Sequence, residues 1–108
     1  ACAFGTAHGL YLKTPKLDFD RLAKIDSLVD IPLVMHGGSG VSAEDYRLAI
    51  RNGIRKINYY SYMAKAGTEG AAMVIAQNEA AYFHQVAHAA QDAMQMDAEK
   101  AMAVFAGL

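Results

Sequence analysis

Cys2 is the only cysteine in the chain. No disulfide framework can hold the chain together, and a reducing, cytoplasmic setting is the expectation. Read by itself, Cys2 is a small apolar residue suited to burial. An excess of charge of either sign is also missing. Lys and Arg total 10 against 11 Asp and Glu, for a net charge of −1, and the signs are interspersed. That leaves no basic stripe for nucleic acid and no polybasic segment for a membrane surface. Any anionic ligand has to be held locally. No apolar run nears the roughly 18 to 20 residues needed to cross a bilayer, and the chain opens on no signal-peptide pattern. It opens on no initiator methionine either. Residues 1–4 read as the middle of a strand, so a piece of something longer is expected. Disorder is excluded by composition: the 108 residues are 54% hydrophobic and 19% charged, which suits at most one modest globular domain.

What is present centres on residues 32–40, an apolar run that ends in His36-Gly37-Gly38-Ser39-Gly40. Residues 32–35 have the length and apolar density of a buried strand, and Ser42 with Glu44 and Asp45 marks the capped, acidic start of a helix. The glycine loop therefore joins a strand to a helix. Such a loop offers backbone N–H groups beside a helix N-terminus, which suits a phosphate, and Ser39 adds a hydroxyl. Gly-Gly-Ser-Gly is also ordinary loop composition.

Upstream, residues 1–4 read as a strand that Gly5-Thr6-Ala7-His8-Gly9 breaks with the same chemistry, histidine then glycine. Pro15 keeps residues 10–16 in a loop. Asp18 caps a helix in which Phe19, Leu22, Ile25 and Leu28 or Val29 recur at helical spacing, ending near Asp30. Downstream, a helix over 43–52 stops at Asn52-Gly53, and residues 54–59 form a third strand. Ser61 caps a helix to about Asn78 that Gly67 and Gly70 weaken. The alanine-rich stretch 80–105 is helical, with a break expected near Met96-Asp97, where Asp97 and Lys100 can begin a last short helix. Met94, Met102, Val104 and Phe105 read as packing residues. Strands alternating with helices predict a parallel sheet of right-handed βαβ units. Three parallel strands leave open edges, so the chain reads as part of a barrel or larger sheet, and a homo-oligomer is expected over a monomer.

In a βαβ array the loops that follow the strands share one face, so His8, residues 36–39 and residues 58–61 should converge there. Two histidines at the ends of neighbouring strands can aim at one metal, and imidazole suits zinc. A catalytic zinc normally takes three protein ligands, and no third is evident. His84 and His88, spaced i and i+4, form a competing pair without the acidic partner of a metalloprotease motif, and read as surface or packing residues. Lys13 and Lys16 read as solvated loop lysines.

Residues 3–9 (AFGTAHG), Pro15-Lys16-Leu17-Asp18, residues 31–40 (IPLVMHGGSG), Ala49-Ile50, Gly53-Ile54 and Lys56-Ile57-Asn58 together resemble the C-terminal part of the class II, metal-dependent ketose-bisphosphate aldolases. The resemblance is close over the first sixty residues and reduces to a similar helical tail beyond Ser61. It implies that residues 1–108 are part of a TIM (β/α)8 barrel, an α/β fold, covering about strands six to eight with their helices. It also implies that His8 and His36 are zinc ligands and that Gly9, Gly37, Gly38 and Ser39 bind the phosphate of dihydroxyacetone phosphate. Asn58, Tyr59, Tyr60 and Ser61 complete the phosphate pocket, with Asn58 the catalytic member, and a monovalent cation near the phosphate is a further family feature.

The reaction implied is reversible aldol cleavage of a fructose- or tagatose-type ketose bisphosphate, with zinc as the Lewis acid. Tyr60 and Tyr62 stand where the family usually has small polar, acidic or amide residues. That leaves room for an aldolase acting on a keto-sugar monophosphate, or for a truncated chain that self-associates and binds anions. The third zinc histidine and the catalytic aspartate belong to earlier strands of the family's barrel, so this segment alone is expected to be inactive.

Overall fold

The computed structural model describes residues 1–10 and 12–108. They form two compact units, Ala1–Tyr59 with Val104–Leu108, and Tyr60–Ala103. The first unit carries the sheet. The second is helical.

In the first unit, α1 (Phe19–Leu28) begins where the sequence places its cap: Asp18 Oδ1 accepts from the Arg21 backbone N–H at 2.9 Å. The same carboxylate lies 3.3 Å from the Arg21 guanidinium. Leu22 is fully buried, with Phe19 and Ile25 against the same core. Leu28 and Val29 do not extend that stripe, because the helix ends at Leu28 and Val29 is already extended; both are exposed.

Strand β1 (Leu33–Met35), helix α2 (Ala43–Arg51) and strand β2 (Ile54–Ile57) make a parallel βαβ unit. Its ladder pairs Leu33 with Ile54, Val34 with Lys56 and Met35 with Ile57, with an irregularity after Leu33. A bond from Asn58 N–H to the Met35 carbonyl, 3.0 Å, extends it by one step. Helix α2 is well determined at both ends. Ser42 Oγ accepts from Asp45 N–H at 3.1 Å, Glu44 and Asp45 sit in the positive first turn, and Arg51 sits in the negative last turn. The C-terminus is closed by Asn52 N–H on the Leu48 carbonyl at 3.0 Å and Gly53 N–H on the Ile50 carbonyl at 3.3 Å. The core comprises Phe4, Leu22, Leu33, Met35, Val41, Tyr46, Ala49 and Ile54.

Residues 1–4 are not the expected strand. Cys2 N–H reaches the Val34 carbonyl at 3.3 Å, but the Phe4 carbonyl accepts from Asp18 N–H at 2.7 Å, so this segment ties down the start of α1 instead of building a ladder. Gly5 at φ +114° then turns it away. The sheet of the described residues therefore has two strands where three were expected, and the last strand ends at Ile57, two residues early.

The second unit contains α3 (Ser61–Gln77) and all of α4 (Phe83–Phe105) but its last two residues. Ser61 is the first helical residue and not the cap; Tyr60 holds the cap position, and its side chain makes no capping hydrogen bond. Gly67 and Gly70 have a packing role. A Cβ on Gly67 would meet Met94, and one on Gly70 would meet the Ala89 carbonyl oxygen at 2.6 Å and Ala93 Cβ at 2.8 Å. Glycine there lets α3 and α4 lie close together. The break expected near Asp97 does not occur, since α4 runs unbroken for 23 residues. One Asp costs an alanine-rich helix under about 1 kcal/mol, and Gln95 bonds Glu99 at 2.7 Å across that turn. The start signal that operates lies upstream, where Gln85 Oε1 accepts from Tyr82 N–H at 2.9 Å, half of a capping box. Among the described residues no helix is long and apolar enough to cross a membrane.

Candidate active site

Two glycine loops meet in the first unit, one after residues 1–4 and one after β1. Gly37 makes the meeting possible: its φ is +63°, and a Cβ on it would run into the backbone of Ala7. Only glycine accepts both the left-handed conformation and the close approach. Ala7 precedes His8 and Gly37 follows His36, so this contact sets the two histidines side by side. Their rings stand edge to face, with centroids 5.6 Å apart and planes inclined by 61°. His8 is exposed and His36 half-buried.

Asn58, just beyond β2, joins them. Its Nδ2 lies 3.1 Å from His36 Nδ1 and 3.4 Å from Nε2, and Lys56 Nζ donates to its Oδ1. An ammonium group can only donate, so Lys56 fixes which end of the amide carries oxygen and turns the nitrogen toward the imidazole. Strand alternation puts Lys56 and Asn58 on the same side.

The loop between β1 and α2 is built against its own neighbours. Gly38 is buried, with the position of its missing Cβ 3.0 Å from Ile57 Cγ2 and 3.2 Å from the Asn58 carbonyl oxygen. Its carbonyl accepts from Val41 N–H at 3.3 Å and from the Tyr46 hydroxyl of α2. Ser39 is only 4% exposed. Gly37, Gly38 and Ser39 thus lie on the approach to the N-terminus of α2, where partial positive charge favours an anion. Gly9 has φ +90° and open space around it. Tyr59 is half-buried, its ring 6.1 Å from that of Phe105.

Tyr60 and Ser61 open the second unit, with Tyr60 67% exposed. His84 and His88 are exposed on α4, and His84 stacks on Tyr82 with centroids 5.9 Å apart. Lys13 is exposed, and Lys16 lines an open cavity of about 590 Å³ with Phe4, Asp18 and Arg21, to which neither His8 nor His36 contributes.

As a metal site the pair is part of a donor set. Two imidazoles that bind one ion at about 2 Å each, at a tetrahedral angle, have ring centres roughly 5 Å apart, and 5.6 Å matches. Among the described residues no group of three or more His, Cys, Asp or Glu could hold an ion. The donor chemistry fits zinc as two of the three protein ligands of a catalytic site.

Lys56 and Tyr46 are the residues that sequence reasoning missed. For Tyr46 the available signal is that a buried tyrosine needs a partner for its hydroxyl, which the Gly38 carbonyl supplies here.

Residues 1–107 match the family model for class-II fructose-bisphosphate aldolase. Among solved structures the chain resembles the YdjI aldolase from Escherichia coli K12 at 30% identity and TM-score 0.78, with 95% of this chain and 38% of that one covered. It also resembles a candidate fructose-1,6-bisphosphate aldolase from Coccidioides immitis at 27% identity and TM-score 0.79, over 95% and 36%. The fold likeness extends to the fructose-bisphosphate aldolase of Campylobacter jejuni, at 20% identity and TM-score 0.77, over 94% and 38%. The chain thus spans somewhat over a third of the length of these proteins, as an α/β portion of a partial TIM barrel.

Proposed function

Because the chain belongs to the class-II fructose-bisphosphate aldolase family, we propose that its first unit supplies part of the active site of a zinc-dependent aldolase. The substrate is a phosphorylated ketose, with a fructose or tagatose bisphosphate as the leading reading and a keto-sugar monophosphate as the alternative. The observation that carries this is the convergence of His8, His36 and Asn58 through the contact of Gly37 with Ala7.

In this reading His8 and His36 hold the ion. Zinc, when bound, supplies Lewis-acid polarisation of the substrate ketone. Gly9, Gly37, Gly38 and Ser39 take the phosphate, and with Tyr59 at the side they fix the orientation of the substrate relative to the histidines. Positioning of this kind accounts for much of a rate enhancement. The Asn58 amide, its polarity set by Lys56, directs an N–H at the oxygen that gains negative charge as the C3–C4 bond breaks. One such donor is typically worth about 10² to 10³ in rate. Two imidazoles fall short of a full zinc site, so the segment alone binds zinc weakly and does not turn over. A reducing compartment such as the cytoplasm suits the unpaired Cys2.

Zinc titration against a chromophoric chelator tests the assignment. His8→Ala and His36→Ala should each weaken binding about tenfold, and the double variant should bind no better than either. Equal affinity in all four proteins refutes the metal assignment, as does cleavage of fructose 1,6-bisphosphate that resists a chelator.

A further inference from the structure

We infer that Tyr46 is a positioning residue for the anion loop: its hydroxyl holds the Gly38 peptide so that the Ser39 N–H is presented to a phosphate group. The inference rests on the phosphate reading of residues 37–39 given above and names a residue on a different element that makes the loop competent.

A trans peptide is planar, with its C=O and N–H pointing in opposite directions. The Gly38 carbonyl and the Ser39 N–H belong to one such unit, and no cis bond occurs among the described residues. Whatever fixes the carbonyl therefore aims the N–H. Two donors meet that carbonyl: Val41 N–H from the loop's own turn at 3.3 Å, and the Tyr46 hydroxyl from the first turn and a half of α2. The first contact is long and turns with the loop. The second comes from a helix capped at both ends.

Tyr46 is itself immobilised. It is 5% exposed, and its ring stands edge to face with Phe105 at 4.8 Å. Gly38 has no side chain to hold it, and glycine loses more freedom on ordering than any other residue. An unsupported Gly-Gly pair would have to be ordered by the anion itself, at the expense of affinity. The tyrosine meets that ordering cost in advance. It also determines the sense of the loop, because a flipped Gly38 peptide would turn a carbonyl oxygen toward the phosphate and break the bond from the Tyr46 hydroxyl.

The test is Tyr46→Phe in the full 108-residue chain, which keeps the ring and its packing and removes one oxygen. Two readouts are needed, with inorganic phosphate and dihydroxyacetone phosphate as probes. Without anion, the Gly38 carbonyl ¹³C and Ser39 amide ¹⁵N resonances should shift while the dispersed core resonances stay in place. With anion, the Ser39 amide should respond in the wild type, and the variant should need about tenfold more of either probe for the same response. If the wild type responds at Ser39 and the variant responds at the same concentration, Val41 alone orients the peptide and the inference is overturned, while the phosphate reading stands. If the wild type shows no response at Ser39 to either probe, the phosphate reading fails and the inference falls with it.

Discussion

Replacing Gly37 by alanine tests the architecture of the site at its narrowest point. Gly37 has φ +63°, where an L-residue costs about 1–2 kcal/mol. The added methyl would also overlap the Ala7 carbonyl, and backbone cannot be moved aside by a change of rotamer. Overpacking of this kind costs about 1–3 kcal/mol, so the total is roughly 2–5 kcal/mol. Gly9 separates the two terms. It too has positive φ, +90°, but nothing lies within 4 Å of its missing Cβ, so Gly9→Ala should lose only the conformational part. For a domain of this size each kcal/mol lowers the melting temperature by about 4–8 °C. Gly37→Ala should therefore melt at least about 8 °C lower than the wild type, and clearly lower than Gly9→Ala. Because the displaced residue is the neighbour of His8, Gly37→Ala should also weaken zinc binding about tenfold without touching either histidine. Thermal denaturation followed by circular dichroism, with the chelator titration alongside, decides the matter. Equal losses for the two variants would refute the claim that the loops touch at Gly37.

Leu22→Ala, at a fully buried position of α1, should cost about 2–5 kcal/mol in urea denaturation; a loss under 1 kcal/mol would place Leu22 outside the core. Gly70→Ala should destabilise the helical pair, because the gain of about 1 kcal/mol in helix propensity is outweighed by contact with the fixed Ala89 carbonyl. Gly67→Ala should be nearly neutral, because the methyl meets the flexible Met94 side chain. Helical ellipticity during melting distinguishes the two, and the opposite ranking would contradict the packing. Burial pushes the Cys2 thiol above its ordinary value, against the opposing pull of the N-terminal charge and a backbone hydrogen bond. Alkylation at pH 8 should therefore be slower than for a cysteine in a short peptide. A raised thiol pKa also means that stability is retained at neutral pH and falls as the pH climbs past 9. Alkylation as fast as in the peptide would count against the burial.

What the sequence made legible was local chemistry with one dominant partner. Asp18 and Ser42 cap their helices because a short polar side chain three residues ahead of an orphan N–H has little competition. The paired His-Gly loops suggested that His8 and His36 lie together, and their ring centroids are 5.6 Å apart, although the segment before His8 is not a strand. Where two outcomes were close in energy the pattern misled. Residues 1–4 have strand composition, but the Phe4 carbonyl serves Asp18. Asp97 looks like a helix start, yet it lies on a helix whose alanines carry it through. Ser61 has a capping side chain, and the chain turns one residue earlier. Tyr46 and Lys56 were invisible for another reason: each acts through a residue distant in sequence or on a backbone atom, and no spacing rule encodes that.

The course of the chain through its two units has a consequence for engineering. Residues 60–103 leave the first unit after Tyr59 and return to it at Val104, like a parenthesis in a sentence that reads on without it. Phe105 is the clasp, its ring against both Tyr46 and Tyr59. A flexible loop bridging the same two ends would cost only about 0.6 kcal/mol more for each doubling of its length. What the first unit depends on is that its last few residues come back to the tyrosine beneath the glycine loop.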